Sequence, residues 1–209
     1  MRPAVIAFAL LAGLFLMQRA RASTTQSAAD PYPTPQVMNM DDAAALSDPF
    51  VVAFLRMLRV LEHSEAAEAD GSAYNTFFGG TYFADLSDHP VLTGEKVGVP
   101  LPPAMCVAAG YPDGKCGSTA AGAYQFIVPT WREVRGMGVP LTDFSPSAQD
   151  QGAVRLLRFI GALEPLRQGN LNAALRIASK RWASLPYSTA QQHPKPLAVA
   201  VQVFHDGLV

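Results

Sequence analysis

The feature that most constrains this chain is an apolar helical stretch that ends in an acidic residue. Ser47-Asp48-Pro49 supplies a capping side chain and an early proline, a combination typical of a helix start. Apolar residues then recur at helical spacing, as expected of a helix that faces a core: Val51, Phe54, Leu55, Leu58 and Leu61. The spacing predicts a core helix that carries Glu62 at its C-terminal end.

Glu62 is a candidate general acid. It follows Leu58 by four residues, which places it close to the apolar stripe and away from the solvated face. A carboxyl group at a buried helix end can hold its proton near neutral pH and deliver it to a glycosidic oxygen. Glu65 would share that face in a longer helix, so periodicity alone does not choose between the two glutamates. The alternative for both is a solvated helix-end position without chemistry.

The first 22 residues have the pattern of a secretory signal peptide. Arg2 precedes an uncharged apolar run from Ala4 to Met17, and Ala20-Arg21-Ala22 provides a small-x-small cleavage site. The run is shorter than the roughly 20 residues that a membrane-spanning helix needs. We therefore expect cleavage, no lasting membrane span and a periplasmic or secreted protein, with an uncleaved anchor as the alternative.

The expected mature chain is one acidic domain behind a tether. Removing residues 1–22 leaves 187 residues, enough for one sizeable core, with 13 basic against 17 acidic side chains and a net charge of −4. The absence of a long basic stripe excludes nucleic acid as an expected partner. Residues 23–46 are polar and proline-bearing, so we expect a flexible tether there and a single domain over residues 47–209.

The remaining pattern predicts an α+β fold. Between Gly71 and Gly117, short aromatic and β-branched pieces are broken by glycine and proline, which indicates a small sheet with long loops and no further helix. Helical signals then return, with segments expected from Ser145 to about Ile160, from Asn170 onwards and from about Pro196 to His205. A helical lobe beside a small β lobe leaves a cleft between them.

Cys106 and Cys116 enclose a loop rich in glycine and proline. In an exported protein the pair can oxidise, and closing so short a loop would stabilise the fold by about 2–3 kcal/mol. We expect a disulfide. A zinc site is the alternative, but two cysteines without a nearby histidine pair fall short of four ligands. We therefore expect neither a metal nor a cofactor.

Five short motifs occur along the chain in a fixed order. They are Phe54-Leu55-Arg56-Met57-Leu58 running into Glu62, Tyr82 to Pro90, Ser118 to Phe126, Asp143-Phe144-Ser145-Pro146 with Gln149-Asp150, and Trp182-Ala183-Ser184-Leu185-Pro186. Together they resemble the lambda-type phage endolysin family, whose members are lysozyme-fold lytic transglycosylases acting on peptidoglycan. The resemblance covers about Val51 to Phe204. It implies a lysozyme-like fold and the glycan strands of peptidoglycan as the partner.

The resemblance also implies roles for individual residues. Glu62 takes the position of the family's catalytic acid, which decides against Glu65. Tyr124 and Gln125 match the family's Tyr-Gln pair on the cleft wall. Further substrate contacts are expected from other residues in or beside the motifs: Asp85, Ser87, Ser118, Ser184 and Tyr187.

Three features depart from the family pattern. The family often has an arginine where this chain has Ala123, so a charge near the cleft is missing. The stretch from Val91 to Gly117 is longer than expected and falls where a lip of the cleft should be, which bears on the length of glycan preferred. The signal peptide indicates a relative that is exported on its own.

One carboxylate is sufficient for transglycosylation, whereas hydrolysis with retention needs two about 5 Å apart. We expect Glu62 to protonate the oxygen between N-acetylmuramic acid and N-acetylglucosamine and then to deprotonate the muramyl C6 hydroxyl, which closes a 1,6-anhydro ring. One alternative is hydrolysis with Asp85 or Asp88 as the second carboxylate, although Asp88 before His89-Pro90 is typical of a turn. Another is a glycan-binding protein without activity. A partner in the cell-envelope machinery and the cellular role stay open.

Overall fold

The computed structural model describes residues 40–108, 110–189 and 194–208. The expected signal peptide and residues 23–39 of the tether lie outside these ranges. Within the ranges the helices are α1 Met40–Leu46, α2 Pro49–Glu62, α3 Glu65–Ala69, α4 Pro103–Ala108, α5 Val128–Arg135, α6 Pro146–Phe159, α7 Leu163–Arg167, α8 Leu171–Ala178 and α9 Leu197–Asp206. None of the helices in this part of the chain is long and apolar enough to span a bilayer.

Helix α2 lies at the centre of the helical lobe. The Asp48 carboxylate accepts the backbone N–H groups of Phe50 and Val51 at 3.0 and 3.3 Å, so the predicted cap is confirmed. The apolar face of α2 packs against α6, α7 and α9. At the contact with α9, the ring of Phe50 from α2 stacks on the ring of Phe204 from α9, with the two centroids 6.5 Å apart. The helix is therefore enclosed along its apolar face, and its C-terminal end is left facing the β lobe.

The β lobe lies between α3 and α5 and contains two small antiparallel sheets. Strand β1 Thr76–Phe77 pairs with β2 Thr81–Tyr82, and β3 Val99–Pro100 pairs with β4 Gly117–Ser118. Isolated bridges from Phe77 to Ala121 and from Ala121 to Phe126 extend the lobe into residues 121–126. The predicted α+β arrangement is confirmed.

The longest loop of the β lobe contains a helix, so the prediction of no further helix there is wrong. The carbonyl of Pro102 accepts the N–H groups of Met105 and Cys106 at 2.9 and 3.2 Å, and this turn opens α4. The prolines in this loop predict a break in helical structure, but proline is well tolerated in the first turn of a helix, and α4 begins at Pro103. The Cys106–Cys116 disulfide is present with its Cα atoms 5.4 Å apart, as predicted, and ties α4 to the start of β4.

The domain begins earlier than the sequence indicated. Residues 40–46, which we assigned to the tether, form α1 and pack against α6. Asp42 is fully buried, and its carboxylate accepts hydrogen bonds from Arg155 and Arg158, both at 2.8 Å. The partner Arg155 lies 113 residues away in sequence, so no local pattern could distinguish this aspartate from a solvated one.

Asp42→Ala tests whether this ion triad holds α1 on the domain. The substitution leaves Arg155 charged and 2% exposed without its carboxylate, and we expect the free energy of unfolding to fall by about 3–5 kcal/mol. Urea denaturation measures the loss. Glu65→Ala is the control, because it breaks an ion pair with Arg56 whose glutamate is 56% exposed and should cost less than about 1 kcal/mol. Equal losses for the two variants would contradict the role of the triad.

Candidate active site

Glu62 lies at the C-terminal end of α2, where the helix meets the β lobe. Its Oε1 accepts a hydrogen bond from Ser184 Oγ at 2.5 Å. Burial raises the pKa of Glu62 to about 7, against the opposing effects of the Ser184 hydrogen bond and the positive charge of Lys195. A carboxyl group with this pKa is substantially protonated at neutral pH and can also act as a base after losing its proton.

Ser184 is held in place from both sides. Two residues earlier, the buried Trp182 donates its Nε1–H to the carbonyl of Tyr124 at 3.0 Å. The backbone N–H of Lys195 donates to the carbonyl of Ser184 at 2.8 Å. The loop that carries Ser184 is therefore fixed to the cleft-wall segment at one end and to the approach to α9 at the other, which keeps its hydroxyl aimed at Glu62.

His63 joins the end of α2 to the cleft wall. It follows Glu62 directly, and its Nε2 lies 3.1 Å from the carbonyl of Gly122. Burial lowers the pKa of His63, so the ring is neutral near neutral pH and donates Nε2–H to this carbonyl. Gly122 has φ 74°, and a Cβ added there would collide with the side chain of Gln149, so only glycine fits.

Gln125 presents an amide oxygen at the cleft wall. Its backbone has φ 47°, which is uncommon for a non-glycine residue and is found mostly where structure or function demands it. Its Nε2 donates to the carbonyls of Gly122 and Thr76 at 3.1 and 3.3 Å. Since both contacts require the nitrogen, the amide orientation is fixed. Its Oε1 has no partner among the described residues and can accept a hydrogen bond from a ligand.

Tyr124, a predicted substrate contact, has its side chain inside the core. Its side chain is 0% exposed. Its hydroxyl donates to Asp150 Oδ1 at 2.5 Å and accepts from Arg59 Nη1 at 2.7 Å. Because the hydroxyl already has both a donor and an acceptor inside the core, Tyr124 supports the cleft wall from behind.

Tyr124 belongs to a partly buried polar group that we call the Asp150 cluster: Arg59, Glu68, Tyr74, Tyr124 and Asp150. Tyr74 donates to the same Asp150 oxygen at 2.8 Å, and Arg59 binds both carboxylate oxygens of Glu68 at 2.6 and 2.8 Å. The sequence motif included Asp150, but the sequence analysis did not identify Arg59 and Glu68 as members of a polar cluster. The sequence does contain one indication, an arginine inside the apolar run of α2, three residues before Glu62.

The β-lobe candidates lie at the surface. Asp85 and Ser87 are exposed, and the Asp85 carboxylate accepts the N–H of Ser87 at 2.9 Å. Glu95, which sequence reasoning missed, accepts the N–H of Asp85 at 2.8 Å and so fixes this loop. Ser118 is partly buried in β4. Within the described residues none of these side chains contacts Glu62, so their role in substrate binding stays a prediction.

Asp88 and His89 have structural roles. The Asp88 carboxylate accepts hydrogen bonds from Trp131 Nε1 at 2.8 Å, from the N–H of His89 at 2.7 Å and from Arg135. Burial would raise the pKa of Asp88, but these three bonds outweigh it and hold the pKa below its usual value. His89 is buried and its Nε2 lies 2.9 Å from the carbonyl of Phe126. Both residues stabilise a turn, as the sequence predicted.

Tyr187 lies on the surface, three residues after Ser184. Its backbone has φ 71°, and the Arg176 guanidinium lies 4.0 Å from the ring centroid. Asn172 Nδ2 donates to its hydroxyl at 3.3 Å. The ring is thus oriented by α8, and its predicted contact with a sugar is not tested by these interactions.

Comparison with known proteins agrees with this architecture. The profile of the Endolysin family matches residues 52–207. The chain belongs to the endolysin family. Over 136 residues it is 35% identical to the endolysin of Escherichia phage lambda, covering 64% of this chain and 75% of the relative. Over 160 residues it is 32% identical to the endolysin of Escherichia phage P2, covering 74% and 90%.

Solved structures show the same relationship. Bacteriophage lambda lysozyme complexed with a chitohexasaccharide superimposes with a TM-score of 0.61 at 30% identity, covering 76% of this chain and 94% of that one. A second structure of lysozyme from bacteriophage lambda superimposes with a TM-score of 0.56 at 28% identity, and the match covers 77% of this chain and 92% of that one. The expected lysozyme-like α+β fold and the resemblance to lambda-type endolysins are confirmed. This endolysin is accordingly a peptidoglycan-degrading protein.

Ser184→Ala tests the hydrogen bond to Glu62. The bond stabilises the ionised carboxylate, so its loss should raise the pKa of Glu62 further. We expect the alkaline limb of the pH profile of kcat/KM, which in this endolysin should fall near pH 7, to move to higher pH. Turbidity of a sacculus suspension measured across pH gives the profile. A limb that stays in place or moves to lower pH would contradict the arrangement.

Glu62→Gln should stabilise this endolysin at alkaline pH. The folded pKa of Glu62 lies above its ordinary value of 4.5, so the folded state keeps a proton that the unfolded state releases, and stability falls as pH rises from 4.5 through about 7. At about pH 8 the variant should be more stable by roughly 2–3 kcal/mol, and near pH 4 the difference should vanish. Urea denaturation at both pH values checks this, with Glu65→Gln as a control that should show no such pH dependence.

Proposed function

We propose that this endolysin is a lytic transglycosylase that cleaves the β-1,4 bond from N-acetylmuramic acid to N-acetylglucosamine and leaves a 1,6-anhydro end. The observation that carries the proposal is Glu62, a partly buried carboxyl group with a pKa of about 7 and a serine hydroxyl 2.5 Å from its oxygen. Such a group is suited to give a proton in one step and take one back in the next.

Each step of this reaction has a group in the structure. Glu62 protonates the glycosidic oxygen as the bond to the anomeric carbon breaks, and the 2-acetamido group of the substrate stabilises the positive charge there. Gln125 Oε1, held outward by its two amide hydrogen bonds, accepts an N–H or O–H of the sugar. Ser184 stabilises the Glu62 carboxylate until it removes the proton of the C6 hydroxyl, whose oxygen then closes the anhydro ring.

Hydrolysis is less well supported because it needs a second carboxylate or a positioned water. Asp88, one candidate for that role, has its carboxylate engaged by Trp131 and Arg135. Asp85, the other candidate, is exposed and bonded to the neighbouring Ser87. A protein that only binds glycan has no use for an acid whose burial costs stability, so the raised pKa of Glu62 also argues against a purely binding role.

The substrate is proposed to be a glycan strand lying between the two lobes. The related lambda lysozyme has been solved with a chitohexasaccharide, an oligosaccharide of N-acetylglucosamine, which supports a groove that accepts several sugars. In this endolysin the strand would pass Glu62 and Gln125 and meet surface residues on either side: Asp85, Ser87, Ser118 and Tyr187. The signal-peptide pattern and the Cys106–Cys116 disulfide support export to the periplasm or beyond.

Product analysis tests the reaction. Purified protein is incubated with sacculi in ¹⁸O-labelled water, and the released fragments are analysed by mass spectrometry. We expect fragments that end in 1,6-anhydro-muramic acid, lighter than reducing ends by one water and free of ¹⁸O, because no water enters the product.

Glu62→Gln should reduce the rate of release by roughly 10²- to 10⁴-fold, the usual contribution of a general acid–base group. Glu65→Gln, three residues later on the exposed side of the same helical region, should leave it unchanged. Reducing ends that carry ¹⁸O would show that the protein is a hydrolase and not a transglycosylase. Full activity of the Glu62→Gln variant would show that Glu62 is not the general acid.

A further inference from the structure

A pocket of about 220 Å³ lies beside the cleft wall, and apart from Gln125 the residues that line it have no part in the proposed reaction. Residues 124–127 form one side and residues 180–182 the other, with Thr130 of α5 between them. Phe126 and Trp182, which line it, are almost fully buried. The pocket therefore has an apolar, rigid base, and it is larger than a single inorganic anion needs.

The rim of this pocket is positively charged. Lys180 is exposed, and within the described ranges its side chain has no ion pair or hydrogen bond. Arg181 is 38% exposed and lies 3.9 Å from Glu133, too far for a hydrogen bond. No residue that lines the pocket is acidic. Two cations above an apolar base favour a ligand that carries both apolar groups and carboxylates.

The pocket shares its walls with the candidate active site. Gln125 lines the pocket, and its amide group binds the carbonyls of Thr76 and Gly122 at the cleft wall. Trp182 lines the opposite side, two residues before Ser184, which contacts Glu62. A chain that branches from a sugar in the cleft can therefore enter the pocket without leaving the protein surface.

We propose that this pocket is a subsite for the peptide stem of peptidoglycan, with Lys180 and Arg181 binding its carboxylates. The inference rests on the proposed substrate, because the stem is attached to the muramic acid whose bond is broken. The glycan backbone itself offers acetamido and hydroxyl groups but no free carboxylate to match these cations. The stem carries free carboxylates and small apolar side chains, which correspond to the charged rim and the apolar base.

The test compares soluble glycan strands of equal length that either keep their peptide stems or have lost them to an amidase. We expect the wild-type protein to show a kcat/KM roughly three- to tenfold higher on the stem-bearing strands, mainly through KM, as partly exposed charge pairs allow. The preference should shrink as salt is added, because salt screens such pairs. Amidation of the stem carboxylates should remove most of this preference, because it removes the charges that Lys180 and Arg181 bind.

Lys180→Gln should bring the ratio of the two kcat/KM values towards one, and Lys180→Arg should restore it. Arg132→Gln is the matched control: Arg132 is exposed on α5 near the pocket but does not line it, so the same loss of charge should leave the ratio unchanged. Equal wild-type activity on both strands, or an unchanged ratio in Lys180→Gln, would overturn the proposal. The ratio of the two kcat/KM values measures cleavage of the strand whether the new end is an anhydro ring or a reducing sugar. Hydrolytic products would therefore contradict the proposed transglycosylase reaction but would leave this test of the pocket valid.

Discussion

The two lobes are joined by buried hydrogen bonds from one turn of α6. Gln149 accepts the N–H of Ala123 at 2.8 Å and donates to the carbonyls of Tyr74 and Phe144 at 3.0 and 2.8 Å, so a single amide holds three chain segments. Asp150 next to it collects the hydroxyls of Tyr74 and Tyr124. Buried polar groups with complete partners specify one arrangement, because each broken bond would leave a desolvated group unpaired. The position of the cleft wall relative to Glu62 depends on this turn.

The chemistry proposed for Glu62 and the stability of the fold oppose each other. Surrounding a carboxyl group with an apolar helix end raises its pKa to about 7, and the same burial makes the ionised form unfavourable in the folded state. Ser184 moderates the conflict by donating one short hydrogen bond to the carboxylate. His63 contributes to holding the end of α2 against the cleft wall through its 3.1 Å contact with the Gly122 carbonyl.

Local pattern identified the longer helices α2, α6, α8 and α9 because their caps and apolar faces depend on nearby residues. The preference for Glu62 over Glu65 came from the family resemblance, since spacing did not separate the two. The cap at Asp48, the apolar face of α2 and the disulfide all follow from sequence spacing of about ten residues or fewer. Other features depend on partners tens of residues away, which sequence spacing does not reveal. They are the burial of Asp42, the interior position of Tyr124 and the hydrogen bonds of Gln149 to three chain segments. The resemblance to a family located Tyr124 in the cleft-wall segment, but it did not reveal that the side chain is fully buried.

The contact between α2 and α9 joins the two ends of the domain. The Arg56 guanidinium donates to the carbonyl of Val203, 147 residues further along, at 3.1 Å, and a Cβ at Gly207 would lie only 3.1 Å from the Cα of Ala53. Closing a contact across so many residues costs conformational entropy, which slows its formation. During synthesis the helix that carries Glu62 is made first and acquires its partner α9 last. The helix that carries Glu62 is therefore enclosed by α9 only after residues 197–206 have been made.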